Sequence, residues 1–275
     1  MSRPIRIEFP GAIYHVSSRG HDNQMIFIDD DDKKFFLDLL QKIVGRFHWI
    51  CHAFCLMSDH YHLVIETPEG NLSIGMRELN GGYTQRFNRR YVMQGPVMQG
   101  RFKAILVERE SHLLPVCRHV VLNPLRLRKV RQLDKYRWSS YRSTAGLDDA
   151  STGLSPDWIW RQMGKSKKKA PERYQEYVKA GADLDAPWSQ VQRQILLGRP
   201  EFVEKMQAMM HMEARPQVKL ARPSLKKIFA KVKDKVGRNQ AIRVASREHF
   251  YRLHEIGSFI GLHLSTVSKI ANTSS

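Results

Sequence analysis

"HWICHAFCLMSDHYHLVIE" (48–66) holds two apolar runs of strand length on either side of the short polar turn "SDH". Runs of this composition around a tight turn predict a β-hairpin. Side chains alternate across a strand, so His60 and His62, two apart, leave the same face of the second strand. Two imidazoles placed that way can chelate a divalent cation. A polar strand face with no metal would show the same spacing, and the pair alone does not choose between the two.

The flanking sequence supplies the rest of a fold. "AIYHVSSR" (12–19) predicts a strand that runs into the polar loop "GHDNQ". "DDDDKKFFLDLLQKIVGRF" (29–47) opens with acidic residues and then places apolar residues at helical spacing, an amphipathic helix. "IGMRELNGGYTQRFNRRY" (74–91) predicts a second helix that tolerates Gly81 and Gly82 at some cost. "RFKAILVE" (101–108) predicts a further strand. "SHLLPVCRHVVLN" (111–123) predicts a third helix, capped by Ser111 and stopped before Pro124. The order β-α-β-β-α-β belongs to the α+β class and the ferredoxin-like pattern, an antiparallel sheet with helices on one face. That order says nothing about function.

Beyond "WSSYRSTAG" (138–146) the periodicity fades. The expected organisation is a first domain over 1–146, a linker and helical connection over 147–186, and an all-α region over 187–275. "GKSKKKAPERY" (164–174) reads as a basic, solvated linker, and "PWSQVQRQILLGRPEFVEKMQAMM" (187–210) as helices. The tail "YRLHEIGSFIGLHLSTVSKIAN" (251–272) has helix-turn-helix grammar. Leu253, Ile256 and Ile260 share one face, Gly261 permits the turn and Leu262 fills its corner. Ser265 would cap a second helix that turns Val267 and Ile270 inward. Ser265, Thr266, Ser268 and Lys269 then point outward, where a recognition helix meets bases and phosphates. An ordinary helical hairpin is the alternative.

The 275 residues include 45 Lys and Arg against 27 Asp and Glu, a net charge of +18. Such a surplus favours a polyanionic partner, nucleic acid before membrane. No apolar run approaches the roughly 18 residues of a membrane span, and "MSRPIRIEFPG" is not a secretory leader. Cys51, Cys55 and Cys117 make no disulfide framework and suit a reducing, cytoplasmic setting as buried small hydrophobes. In "YTQRFNRRY" (83–91), Arg86, Arg89 and Arg90 lie beside Tyr83 and Tyr91, the mixture of charge and aromatic faces that single strands prefer. Arg19, Arg101 and Lys103 could also track phosphates. His15 could lie near His60 and His62 on a neighbouring strand, but a satisfied polar core histidine is the preferred reading; Trp138 reads as core.

"CRHVVLNP" (117–124) adds one more pair. His119 and Asn123 stand four apart on one helical face. The Asn123 amide oxygen could serve a hard cation such as Mg2+ or Mn2+, provided the fold brings it to His60 and His62.

These stretches together resemble a known family. "MSDHYHLVIETP" is similar to the His-hydrophobic-His motif of the HUH single-tyrosine transposases, in particular the REP-associated branch. The resemblance continues through "RPIRIEFPGAIYHVSSRG", "LNGGYTQRFNRR", "VMQGRFKAILVE" and "NPLR…WSSYRS", covering most of 1–146. "EIGSFIGLHLSTVS" looks like the helix-turn-helix often appended in that branch. The resemblance implies a bacterial, nucleoid-associated protein, monomeric or homodimeric. It would act on single-stranded or hairpin-forming DNA repeat ends and on duplex DNA through the tail.

In that family a metal held by the two histidines and by a polar helix residue polarises a DNA phosphate. A tyrosine four residues before the polar one attacks, leaving a 5′-phosphotyrosine and a free 3′-OH. Carried over residue by residue, His60, His62 and Asn123 match the metal ligands, and His119 stands where the tyrosine is expected. The family reads like "RYVVLNPVRAGLV"; this chain reads "RHVVLNPLRLRKV" (118–130). Three readings follow. Nicking is lost or severely reduced, which ranks first; His119 attacks phosphorus itself; or Tyr83, Tyr136 or Tyr141 substitutes. A role for His119 as an extra metal ligand fits the first reading. The rival functions are a non-catalytic DNA-binding regulator on the same fold and an RNA-binding protein. The absence of a Gly-Phe-Gly-Phe-Val-type strand argues against the latter.

Overall fold

The computed structural model describes residues 7–149, 153–213, 223–230, 232, 234–247, 251 and 253–272. The chain divides into two compact units, 1–210 and 211–275.

The first unit follows the predicted order: β1 (Ala12–Arg19), α1 (Asp30–Arg46), β2 (Ile50–Leu56), β3 (His60–Thr67), α2 (Leu72–Tyr91) and β4 (Lys103–Val107). β1 pairs antiparallel with both β3 and β4, and β2 with β3. α1 starts where the sequence places it because Asp29 accepts the Asp32 N–H at 3.1 Å, a side-chain cap that satisfies one orphan donor. The two crossover helices share one face of the sheet. Tyr61, Leu63 and Ile65 of β3 pack there in a core with Phe36, Leu40 and Ile43 of α1 and Met76, Leu79 and Tyr83 of α2.

The opposite face is also covered. α3 (Leu114–Arg126) sets Val116, Val120 and Val121 against Ile13, Ala53 and Val64. Ser111 does not cap it; an irregular turn over 109–113 leads in, and the Ser111 hydroxyl donates to the Glu108 carboxylate. Pro115 sits in the first turn, where its missing N–H costs nothing. Nor does α3 stop before Pro124. It runs on to Arg126, and the Leu127 N–H closes the last turn on the Asn123 carbonyl at 2.9 Å. The bias of a pre-proline residue away from helix is overridden here by burial of Val120, Val121 and Leu122.

The expected linker over 147–186 is instead part of this second core. After the short α4 (Tyr141–Thr144) come α5 (Asp157–Gln162) and α6 (Ala170–Lys179), which bury Ile159, Tyr174 and Val178 beneath α3. The lysine run hides Ala170 and Tyr174 at helical spacing just behind it, so charge density masked an amphipathic helix. Within 187–210 the structure forms a fifth strand, β5 (Leu196–Leu197), as well as α7 (Pro200–Glu213). β5 pairs parallel with β4, giving the order β2-β3-β1-β4-β5. Two residues are too few for period-two alternation to show. The three cysteines are free and buried.

The second unit holds α8 (Leu225–Ile228), α9 (Lys235–Arg247), α10 (Leu253–Ile260) and α11 (Leu264–Asn272) around Ile242, Ala245, Ile256, Val267 and Ala271. Gly261 takes φ +69° in the turn between α10 and α11. Gly257 is equally constrained, since a Cβ there would lie 2.7 Å from the Leu262 carbonyl oxygen. α11 starts one residue before the expected cap, with the Thr266 and Val267 N–H groups on the His263 carbonyl. Ser265 therefore lies inside the first turn, and its side chain is outside the described residues.

Candidate functional site

The sheet register gathers the candidate residues on the face covered by α3. Odd-numbered β1 residues and even-numbered β3 residues share that face with Val64 and Ile13. In the register, His60 is opposite Arg19, His62 is opposite Ser17, and Ser17 is opposite Lys103 on its other side. Arg19, His60, His62 and Lys103 thus form one continuous polar patch across three strands. His15, one pleat further along β1, joins it.

Each histidine of the pair is held by a neighbour. The His60 Nδ1 lies 2.8 Å from Asp59 Oδ1, and Arg19 reaches the other Asp59 oxygen at 3.4 Å. The carboxylate can only accept, so Nδ1 carries the proton and Nε2 of His60 is left as a lone-pair donor. The His62 Nδ1 is 2.9 Å from His15 Nε2; one ring donates and the other accepts, and the tautomer in which His62 donates leaves its Nε2 as a lone-pair donor. The His60 and His62 rings stand edge to face with centroids 5.1 Å apart. Burial pushes the His62 pKa down to about 3, helped by the nearby positive charge His60 would carry. The ring is therefore neutral at pH 7, the form that ligates a metal.

His119 looks onto this face from α3 in different company. The Trp188 indole N–H donates to His119 Nε2 at 3.1 Å, and the Arg126 guanidinium meets His119 Nδ1. Arg126 is anchored in turn on the carbonyls of Leu184 at 2.6 Å and Gly181 at 3.3 Å. The Trp188 ring lies 4.3 Å from His15 and 5.0 Å from His119, centroid to centroid. Burial first, and then the charge of Arg126, push the His119 pKa down to about 4. A neutral imidazole has one N–H, and here both nitrogens face donors. Its lone pair is already engaged.

The other candidates are distributed more widely. Asn123 lies half-buried one turn along α3 from His119. Among the described residues no three His, Cys, Asp or Glu side chains converge as a metal cluster. A cation would therefore need His60 and His62 together with a ligand of another kind, and the Asn123 amide is of that kind. Arg86, Arg89 and Arg90 belong to α2, on the opposite face of the sheet. Arg90 is not a free cation there, because it pairs with Asp29 at 2.5 Å and Asp32 at 2.7 Å. Arg86 stacks 4.5 Å above Phe35. Tyr83 donates to the Ile26 carbonyl and Tyr136 to the Leu56 carbonyl, and Tyr83 and Tyr141 are buried. All three phenols have raised pKa values through burial, which suits packing and not attack. In the second unit Thr266 and Lys269 are exposed on α11 and Ser268 is half-buried.

Three residues that matter here were not singled out from the sequence. Asp59 could have been, because it adjoins His60 in "SDHYH". Trp188 and Arg126 carry no local pattern; only the packing of 181–191 onto α3 reveals them.

Residues 9–112 match the family model for IS200-like transposases. This segment is similar to that family. The match contains β1 to β4 and the His60–His62 face, and it ends just before α3, the helix with His119 and Asn123. Among solved structures, a REP-associated tyrosine transposase bound to a REP hairpin is 15% identical, with TM-score 0.46, covering 56% of this chain and 98% of that one. A candidate transposase from Deinococcus radiodurans R1 is 15% identical, with TM-score 0.31, covering 45% and 95%. The tRNA(His) guanylyltransferase of Saccharomyces cerevisiae is 8% identical, with TM-score 0.32, covering 74% and 96%. A comparison with curated proteins gave no match. No helix among the described residues is long and apolar enough to cross a membrane.

Proposed function

We propose that this transposase-family chain binds single-stranded or hairpin-forming DNA across the face of His60 and His62, and that its strand-nicking activity is lost or strongly reduced. His60, His62 and Asn123 are the residues that would hold a divalent cation, Mg2+ or Mn2+. Such a cation supplies charge stabilisation at a DNA phosphate. Arg19 and Lys103 flank the histidines and would steer the phosphate chain; Arg101 precedes Lys103 at the same strand start. The observation that carries the reading is the fixed orientation of both histidines, by Asp59 and by His15, inside the segment matched to IS200-like transposases. The engagement of His119 with Trp188 and Arg126 supports the loss of nicking, and equally supports a non-catalytic regulator that keeps the fold for binding. In the second unit, α11 would set Ser265, Thr266, Ser268 and Lys269 toward duplex DNA, with Gly257 and Gly261 shaping the turn that a helix-turn-helix requires.

The test is equilibrium binding of a labelled DNA hairpin over a range of salt. Affinity should fall steeply as salt rises, with a slope set by the phosphates neutralised. Substituting Arg19 and Lys103 together by Gln should reduce that slope by about 1–2. A flat salt response would remove the nucleic-acid reading.

A further inference from the structure

His60 and His62 face the same patch, but they are not held in the same way. The Asp59 carboxylate has no proton to give, so its 2.8 Å contact fixes the proton of His60 on Nδ1. The partner of His62 is a second imidazole, His15, whose Nε2 lies 2.9 Å from His62 Nδ1. Burial, followed by the charges that His62 and His119 would carry, pushes the His15 pKa well below its ordinary value. Burial likewise keeps His62 neutral. Two neutral rings share one proton in the bond between them, and it belongs either to His62 Nδ1 or to His15 Nε2.

One of these arrangements serves a cation and the other does not. With the proton on His62 Nδ1, His15 accepts and His62 Nε2 keeps its lone pair for a metal. With the proton on His15 Nε2, the single N–H of His62 moves to its own Nε2, and that nitrogen has no lone pair to offer. The two histidines can therefore act together only while His15 is the acceptor.

The surroundings hold His15 to this partner. It lies on β1 between Val64 of β3 and Ile105 of β4, and only 4% of the residue is exposed. Trp188 packs against its ring with centroids 4.3 Å apart, and the His15 and His62 ring planes differ by 22°. A carboxylate at this position would be a fixed acceptor like Asp59, at the cost of burying a charge. Imidazole supplies a neutral acceptor instead.

We propose that His15 is a positioning residue of the cation site: by accepting the His62 Nδ1–H it keeps His62 Nε2 free to ligate, and without it the site loses affinity for a divalent cation. Cation binding in turn holds His15 as the acceptor, since the coupling between the two is reciprocal. This rests on the cation site of the proposed function, and its test separates the two.

The experiment measures Mn2+ binding to the full chain without DNA, from the electron spin resonance signal of the free ion. His15→Phe keeps a ring against Trp188 and removes the acceptor; His15→Gln removes the ring and offers an amide oxygen that can accept. Circular dichroism establishes that each variant is folded. His15→Phe should bind Mn2+ about 10–100-fold more weakly than the unmodified chain, the range for loss of such a partner. His15→Gln should restore most of the affinity. A role in packing alone would give the opposite order. Unchanged affinity in His15→Phe would overturn the inference and leave the cation site standing, and so would a Gln variant as weak as the Phe variant. His60→Ala, the control for the site, should lose the binding. Mn2+ binding that survives His60→Ala, or no binding by the unmodified chain, would overturn the cation site itself and the role of His15 with it.

Discussion

Trp188 donates its indole N–H to His119 Nε2 at 3.1 Å, which ties the residue at the expected nucleophile position to a segment far away in sequence. The contact gives His119 a packing role, and burial together with the charge of Arg126 holds the ring neutral.

That role has a pH signature. The folded pKa of His119 is lowered to about 4 by burial and by Arg126, against an ordinary value of about 6.5 in the unfolded chain. The unfolded state therefore binds the extra proton between these values, and stability falls as pH drops from about 6.5 toward 4. His119→Phe should lose this part of the pH dependence. Urea unfolding at pH 7 and pH 4.5 checks it: the drop in stability should be smaller in the variant. An identical drop would show that His119 titrates normally in the folded chain.

Two glycines of α2 should respond in opposite ways to alanine. Gly81 has open space where a Cβ would sit, whereas a Cβ on Gly75 would lie 2.1 Å from the Trp49 ring. Gly81→Ala should stabilise by about 0.5–1 kcal/mol, the helix-propensity gain. Gly75→Ala should destabilise by about 1–3 kcal/mol, because Trp49 is buried and its N–H is held by Asn71 at 2.7 Å. Chemical denaturation midpoints give both signs.

Arg90 and Arg89 are neighbours with different work. Arg90 neutralises Asp32, which is buried and also accepts from the Tyr91 hydroxyl at 2.9 Å. Arg90→Gln should lower the thermal unfolding midpoint, since it leaves a buried carboxylate short of its counter-charge. Arg89 is exposed, and Arg89→Gln should leave the midpoint unchanged. Equal midpoints in the two variants would contradict this division.

Much of the first fold was readable because its signals are local and periodic. The acidic start of α1, the alternation in β1 and β3, and the helical spacing of Phe36, Leu40 and Ile43 each fall within a few residues. The His60–His62 pair was legible for the same reason. What failed was long-range or short. β5 is two residues held by β4; Ala170 and Tyr174 are buried behind lysines; α3 passes Pro124 because it is packed on both sides. His15 fits both of its sequence readings, since it is buried and also meets His62 on the neighbouring strand. Trp188 and Arg126 reach His119 only through the folded chain. The basic residues of α2 show the limit of composition, since charge in a sequence does not reveal that Asp29 and Asp32 already neutralise Arg90.

The central claim is that this chain, similar over residues 9–112 to IS200-like transposases, keeps the proposed binding face and lacks the nucleophile. It is tested most directly by incubating the chain and its His119→Tyr variant with a hairpin DNA and Mg2+ or Mn2+, then resolving nicked strands and covalent protein–DNA adducts. The unmodified chain should give neither product, and His119→Tyr should give both. Nicking by the unmodified chain that persists in His119→Ala would contradict the account.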